Sequence, residues 1–399
     1  MHCRVCDHKD FDFVVDLGNQ PWGNHFLQKE EIGKEPFYPL RVIYCRHCQT
    51  AQLDYTVKKE VMFSDHTYLS GVTNSLKKHF DEIAKSVDER FFKNQKRKRA
   101  LDIGSNDGTQ LQSYKDLGYE VIGVESSKHT AEIANQKGIK TYNVFFNLKT
   151  AEEINQYYDV INAAGVFFHL EELHSVTEAI KRFLKKDGVF VVQFIYMKGI
   201  MENIAFDQIY HEHLLYYTLK TLNTLLKRHG LELFDAELMS IHGGSIMGYV
   251  SHKGAKQKTD RLQNLIRKEE IDKTNDLSTY LKFAKNIEEL KQKNLAFLHK
   301  CKEQNKKVFG MGAPVKGNTL LNYFKIGSNL LDCLVEKNEL RKNLYSPGMH
   351  LPIYIEKELT SPPDVYYVLA WNFRAEILKN NQHLINKGVE FYFPINLEV

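Results

Sequence analysis

Cysteine is scarce in this chain, 6 in 399 residues, which excludes a disulfide scaffold as the source of stability. No stretch approaches the roughly 18 to 20 apolar residues that a membrane span requires. The opening MHCRVCDHKD has neither the basic region nor the apolar run of a secretory signal. Net charge is equally slight. Lys and Arg total 54 against 50 Asp and Glu, and the resulting +4 is too small to imply nucleic acid or another polyanion as partner. Solenoid repeats and low-complexity tracts are also missing. What is left is a cytoplasmic chain with no membrane partner, expected to be a monomer. At about 100 to 200 residues per folding unit it has two or three domains, and its 43% hydrophobic content is enough to build their cores.

The few cysteines are arranged informatively. Cys3 and Cys6 form one C-x2-C pair, and Cys45 and Cys48 form a second. Each pair can point two thiolates at one ion from a tight turn, and two pairs complete the closed tetrahedral set of a structural zinc site. His2, His8 and His47 lie close enough in sequence to substitute for a thiolate. Cys301 and Cys333 sit in apolar contexts and read as core. The segment to about Tyr55 has extended stretches at Phe11–Asp16 and Pro39–Tyr44 but no long helical period.

From Ala100 the pattern changes to short β-branched runs alternating with helical stretches, which predicts a parallel sheet with crossover helices. Lysine-rich amphipathic helices follow up to Lys300, and a second strand and helix series closes the chain. The organisation expected is a zinc-binding unit over 1–65, an α/β domain over 66–252, a helical connector over 253–300 and a second α/β domain over 301–399.

The first strand of the larger unit runs into Asp102-Ile103-Gly104-Ser105-Asn106-Asp107-Gly108. Glycines at this spacing let the backbone bend sharply and approach a ligand. The next strand ends in Glu125, placed to accept hydrogen bonds from two ribose hydroxyls. A dinucleotide fingerprint needs a middle glycine where a pyrophosphate meets the helix terminus. Asn106 and Asp107 occupy the turn instead and favour S-adenosylmethionine, with a nicotinamide dinucleotide as the competing ligand. Phe145 and Phe146 are candidates to border the adenine, or are core.

Further on, FDQIYHEHLLYYTLKTL gathers Tyr210, His211, Glu212, His213, Tyr216 and Tyr217. Histidine is a good general base near neutral pH, a neighbouring carboxylate raises its basicity, and tyrosine hydroxyls support a developing oxyanion. The paired C-x2-C turns, DLGNQPWGNHFL, LDIGSNDGT, this block, HGGS at His242–Ser245, GAPVKGNTLLNY and SPGMHLPI occur in one order along nearly the whole chain. That set resembles the S-adenosylmethionine-dependent C-methyltransferases of nucleotide-linked, usually dTDP-linked, 4-keto-deoxysugars.

The resemblance implies a Rossmann-like methyltransferase domain between the zinc unit and a Rossmann-like carboxy-terminal domain that helps hold the substrate. It implies His213 as the base that removes the C3 proton, with Glu212, Tyr210 and Tyr68 in the same pocket. His169, His211, Tyr216, His242, Asn318 and His350 fall on substrate-contacting motifs, and Lys316 is a candidate for charge near the diphosphate. Gly165 and Met247 depart from the family, which commonly carries asparagine and arginine at those positions. Other readings left open are O- or N-methylation of a nucleotide sugar and a zinc-containing nucleotide-binding regulator.

Overall fold

The computed structural model describes residues 1–64, 69–72, 74–239 and 244–395. Three sheets organise it. The first is antiparallel, with β1 (Phe11–Pro21), β2 (Phe37–Cys45) and β3 (Ala51–Leu53) in sequence order. Val15, Leu17, Val42 and Leu53 turn inward, and polar residues alternate with them along β1. A fourth strand, β9 (Leu215–Tyr216), comes from far along the chain and pairs with β3, placing Tyr216 opposite Ala51. The residues just after His213 are thereby stitched to the zinc-bearing unit.

The second sheet contains β4 (Lys98–Ile103), β5 (Tyr119–Val124), β6 (Thr141–Tyr142), β7 (Tyr158–Ala164), β8 (Leu184–Ile195), β10 (Leu231–Met239) and β11 (Ser245–His252). Their spatial order is β10-β11-β8-β7-β4-β5-β6. Strands β4 to β8 run parallel, and β11 lies antiparallel between β8 and β10. Helices cover both faces, so a strand such as β7 is buried along nearly its whole length instead of alternating. The order reverses at β4, whose neighbours β5 and β7 lead away on either side. This switch point opens a crevice at the carboxyl ends of the strands.

The third sheet is wholly parallel, with β12 (Val308–Met311), β13 (Cys333–Glu336), β14 (Ile353–Ile355), β15 (Val365–Val368) and β16 (Glu390–Tyr392). Its order, β14-β13-β12-β15-β16, is doubly wound about β12. Cys301 and Cys333 are buried in its core, as their apolar surroundings predict. The lysine-rich stretch forms the helices Asp260–Ile271 and Leu277–Glu303. The longer one does more than connect. It buries Tyr280, Phe283 and Ile287 in a core shared by the first and third sheets, and its Asn294 accepts the Tyr367 hydroxyl at 2.8 Å.

Candidate active site and metal centre

The two C-x2-C turns have matching local geometry. Asp7 N–H donates to the Cys3 carbonyl and Gln49 N–H to the Cys45 carbonyl, at 3.0 and 2.8 Å. Both Asp7 and Gln49 adopt φ of 65°. The turns face each other, with Cys3 Sγ 3.4 Å from Cys48 Sγ and Cys6 Sγ 3.6 Å from Cys45 Sγ. All four sulfurs lie within 4.8 Å of one another, and none is in a disulfide. A tetrahedral zinc with bonds of about 2.3 Å separates its sulfurs by about 3.8 Å, so the cluster fits the ion without rearrangement. His8 and His47 stack on each other at 3.5 Å and belong to no such cluster. Four thiolates fill the coordination sphere, which makes the zinc structural.

In the larger sheet, β4 ends in the turn that carries Gly104 and Gly108, at φ of 71° and 78°. A side chain at Gly104 would collide with Val166, its Cβ falling 2.5 Å from Cγ2. The glycine lets β4 and the loop after β7 close on the crevice. Glu125 ends β5 with its carboxylate on the wall of that cavity, accepting Asn106 N–H at 2.9 Å and Ser127 N–H at 2.8 Å. Burial pushes its pKa up and the two backbone bonds oppose the rise. Asp107 is tied off by Lys137 at 2.9 Å and the Thr109 hydroxyl at 2.6 Å. The acidic character of the cavity therefore comes from Glu125, Glu171 and Glu172, against one ammonium from Lys59. Val144, Phe145 and Phe146 supply an apolar wall. Carboxylates and aromatic surface suit a cationic sulfonium with an adenosine, and a pyrophosphate would be repelled. Asp102 is buried behind this wall, where desolvation and the charge of Glu125 raise its pKa strongly.

A second cavity adjoins the first, and Ser70, Ala164, Gly165 and His169 line both. Its inner end holds Tyr210, Glu212 and His213. A tight turn, with His213 N–H on the Tyr210 carbonyl at 2.9 Å, puts these two side chains together, their ring centroids 3.8 Å apart. His169 stacks on His213 at 5.2 Å and Phe168 meets it edge-on at 4.7 Å. The Gln208 carbonyl lies 2.7 Å from His213 Nδ1. A carbonyl can only accept, so Nδ1 carries the hydrogen and Nε2 is the basic nitrogen of the neutral ring. Glu212 accepts the Trp22 indole N–H at 2.7 Å. Burial holds its pKa up at about 7, with the indole bond opposing.

Three family models match the sequence in succession: a zinc binding domain over residues 3–63, a methyltransferase domain over 76–236 and a C-methyltransferase C-terminal domain over 240–396. The C-methyltransferase NovU of Streptomyces niveus is 28% identical over 399 residues, spanning 98% of this chain and 95% of that protein. The chain is a S-adenosylmethionine-dependent C-methyltransferase similar to NovU. An uncharacterized Bacillus subtilis methyltransferase, YcgJ, is 30% identical over 101 residues, 24% of this chain and 39% of its own. Among solved structures, a S-adenosylmethionine-dependent methyltransferase from Clostridium acetobutylicum covers 46% of this chain and 94% of its own, with a TM-score of 0.37 and 15% identity.

In this C-methyltransferase, Tyr210, Glu212, His213 and His169 share the second cavity, whereas other residues expected at the substrate are placed elsewhere. His211 turns away from its neighbours and donates to the Tyr38 carbonyl at 3.3 Å, its pKa drawn down to about 4 by burial. Tyr216 is a fully buried core residue of β9. Asn318 donates to the Gly23 carbonyl at 2.6 Å, and His350 pairs with Glu35 at 2.6 Å. Lys316 sits 3.5 Å above the Trp371 ring, and burial draws its pKa down to about 8 against the opposing charge of Asp207. None of His211, Tyr216, Asn318, His350 and Lys316 lines the cavity. Tyr68 and His242 lie outside the described residues. Met247 is buried in a core that also holds Phe80 and Phe234, and it lies opposite Gln193 in the β11–β8 register.

Residue patterns missed three groups. Trp22 binds Glu212 across 190 residues. Gln193, bonded to Ser245 and His79 at 3.1 and 3.0 Å, lines the cavity floor. Arg341 stacks over Phe26 at 4.2 Å and donates to the Ala313 carbonyl at the cavity's outer end. Trp22 and Phe26 lie inside the motif DLGNQPWGNHFL, which was the available signal. ELRKN around Arg341 gave none.

Proposed function

We propose that this enzyme methylates C3 of a nucleotide-linked 4-keto-deoxysugar carrying dTDP, in the cytoplasm, where its six cysteines stay reduced. The observation that carries the reading is His213. It is buried, it is held as the Nδ1–H tautomer, and it lines a cavity that merges with the donor cavity at Gly165 and His169. A carbon beside a ketone has an acidic hydrogen, and His213 Nε2 removes it while the electron pair moves onto the ketone oxygen. Tyr210 and Glu212 stand beside the base, where they can support that enolate oxygen. When bound, S-adenosylmethionine supplies an electrophilic methyl on a sulfonium. Gly165 has no side chain in the passage between the cavities, and its Cβ position is open space. With the donor bound there, the carbon nucleophile could take the methyl while the sulfur–methyl bond breaks and its electrons stay on sulfur, leaving neutral S-adenosylhomocysteine, and His213 would afterwards release its proton to solvent. Arg341, the cation at the outer end, is suited to the diphosphate role that the sequence suggested for Lys316.

Purified protein, S-adenosylmethionine and such a ketosugar in deuterated water test the reading. With S-adenosylhomocysteine in place of the donor, deuterium should enter at C3 of the unmethylated sugar, and with the donor present one methyl should be added. His213→Ala should lose both by about 10²- to 10⁴-fold, the usual worth of general-base help, with donor binding retained. Normal methylation by that variant would show the base to be misassigned. A product whose methyl sits on oxygen or nitrogen would replace this reading with heteroatom transfer.

A further inference from the structure

Two residues just ahead of the Ile209–His213 segment, Phe206 and Asp207, are gripped by the carboxy-terminal unit. Phe206 packs on Tyr323 and Phe324, with ring centroids 5.7 and 5.0 Å away. Asp207 is fully buried and accepts the Trp371 indole N–H at 2.6 Å. Lys316 lies over the face of the same indole at 3.5 Å; burial raises the Asp207 pKa, and the Lys316 charge opposes that rise. The next residue, Gln208, offers the carbonyl that receives His213 Nδ1–H. A second tie runs alongside, from Asn318 to the carbonyl of Gly23, next to the Trp22 that binds Glu212.

A fully buried carboxylate facing a half-buried ammonium is costly to retain unless the pair is held in good geometry, and neither group lines the acceptor cavity. Their position one peptide away from the bond that sets the His213 tautomer gives them a use. We propose that Asp207, Trp371 and Lys316 form a positioning clamp through which the carboxy-terminal unit fixes the Gln208 carbonyl and so holds His213 with Nε2 as its basic nitrogen. The proposal rests on His213 being the base in the reading above. These three are positioning residues and touch neither substrate nor donor.

The test uses the full, zinc-loaded chain labelled with 15N-histidine and saturated with S-adenosylhomocysteine. Two-bond nitrogen–proton spectra report which ring nitrogen is protonated, and His213→Ala identifies the resonance by its loss. Trp371→Phe keeps an aromatic ring near Lys316 and deletes the N–H together with part of the indole, so retained S-adenosylhomocysteine binding is its folding control. The substitution should move His213 from a single Nδ1–H tautomer to a mixture and lower kcat about tenfold with the acceptor KM unchanged, part of what a general base contributes. Asp207→Asn retains an acceptor for the indole and should keep at least about half the rate. Lys316→Met, which loosens the clamp without removing the indole bond, should cost about threefold with the same tautomer drift. Wild-type nitrogen shifts in either the Trp371→Phe or the Lys316→Met variant, with S-adenosylhomocysteine binding intact, would overturn the clamp. Methylation by His213→Ala would overturn the base assignment instead, so the two failures register separately.

Discussion

Glu212 should make this enzyme less stable as pH rises through neutrality, and Glu212→Gln should abolish that loss. Burial beside Trp22 raises the carboxyl from 4.5 to about 7 in the folded state. At about 1.4 kcal/mol per unit, a shift of that size corresponds to about 3 kcal/mol. The folded chain holds this proton more tightly than the unfolded one. The favourable contribution is therefore complete below pH 4.5 and is lost progressively as pH rises to 7 and beyond. Glutamine has the same shape, accepts the Trp22 N–H and never ionises, so it does not carry the cost of a buried charge. The variant should match the wild type near pH 4.5 and exceed it by about 3 kcal/mol at pH 8.5. Urea unfolding at a series of pH values, followed by the tryptophan emission that Trp22 contributes, gives the difference directly, because groups common to both proteins cancel. A difference that stays constant between pH 5 and 8.5 would refute the claim that burial holds this carboxyl up. Turnover should fall in the same variant, a trade of function against stability.

Other expectations follow from the geometry already described. Metal analysis should find one zinc per chain, and Cys45→Ser should lose it with a drop in melting temperature, since a structural site supplies folding free energy; an apo protein as stable as the holo form would contradict this. Glu125→Ala should weaken S-adenosylhomocysteine binding about 10- to 100-fold by calorimetry, the worth of one or two hydrogen bonds to a charged group. Unchanged affinity would remove the ribose role. Gly165 has φ of 72° and open space at its Cβ position, and asparagine tolerates that backbone. Gly165→Asn should melt within a few degrees of wild type yet alter the acceptor KM, and an unaltered KM would place the acceptor away from this passage.

The sequence determined features whose geometry is local. Two C-x2-C turns fix where pairs of thiolates point, and the folded chain brings those pairs to within bonding distance of one ion. The glycine turn after β4 and the carboxylate ending β5 are legible for the same reason, because strand period and turn chemistry place them at the sheet edge. The four-residue turn from Tyr210 to His213 likewise brings the two rings together. Tertiary structure decided everything that depends on which long-range partner a polar side chain meets. Lys316 and Asn318 lie in a motif that suggests substrate contact, but packing of the helix Val315–Phe324 against Phe206 and Gly23 turns both inward as joints. Trp22 reaches Glu212 because β9 joins the zinc-bearing sheet and draws the Tyr210–His213 turn against it. Arg341 reaches the cavity for a similar reason, since the third sheet shares a core with the first. The physical reason is common to these cases. Spacing along the chain sets directions within one turn or strand, whereas the burial of apolar faces between units decides which directions converge.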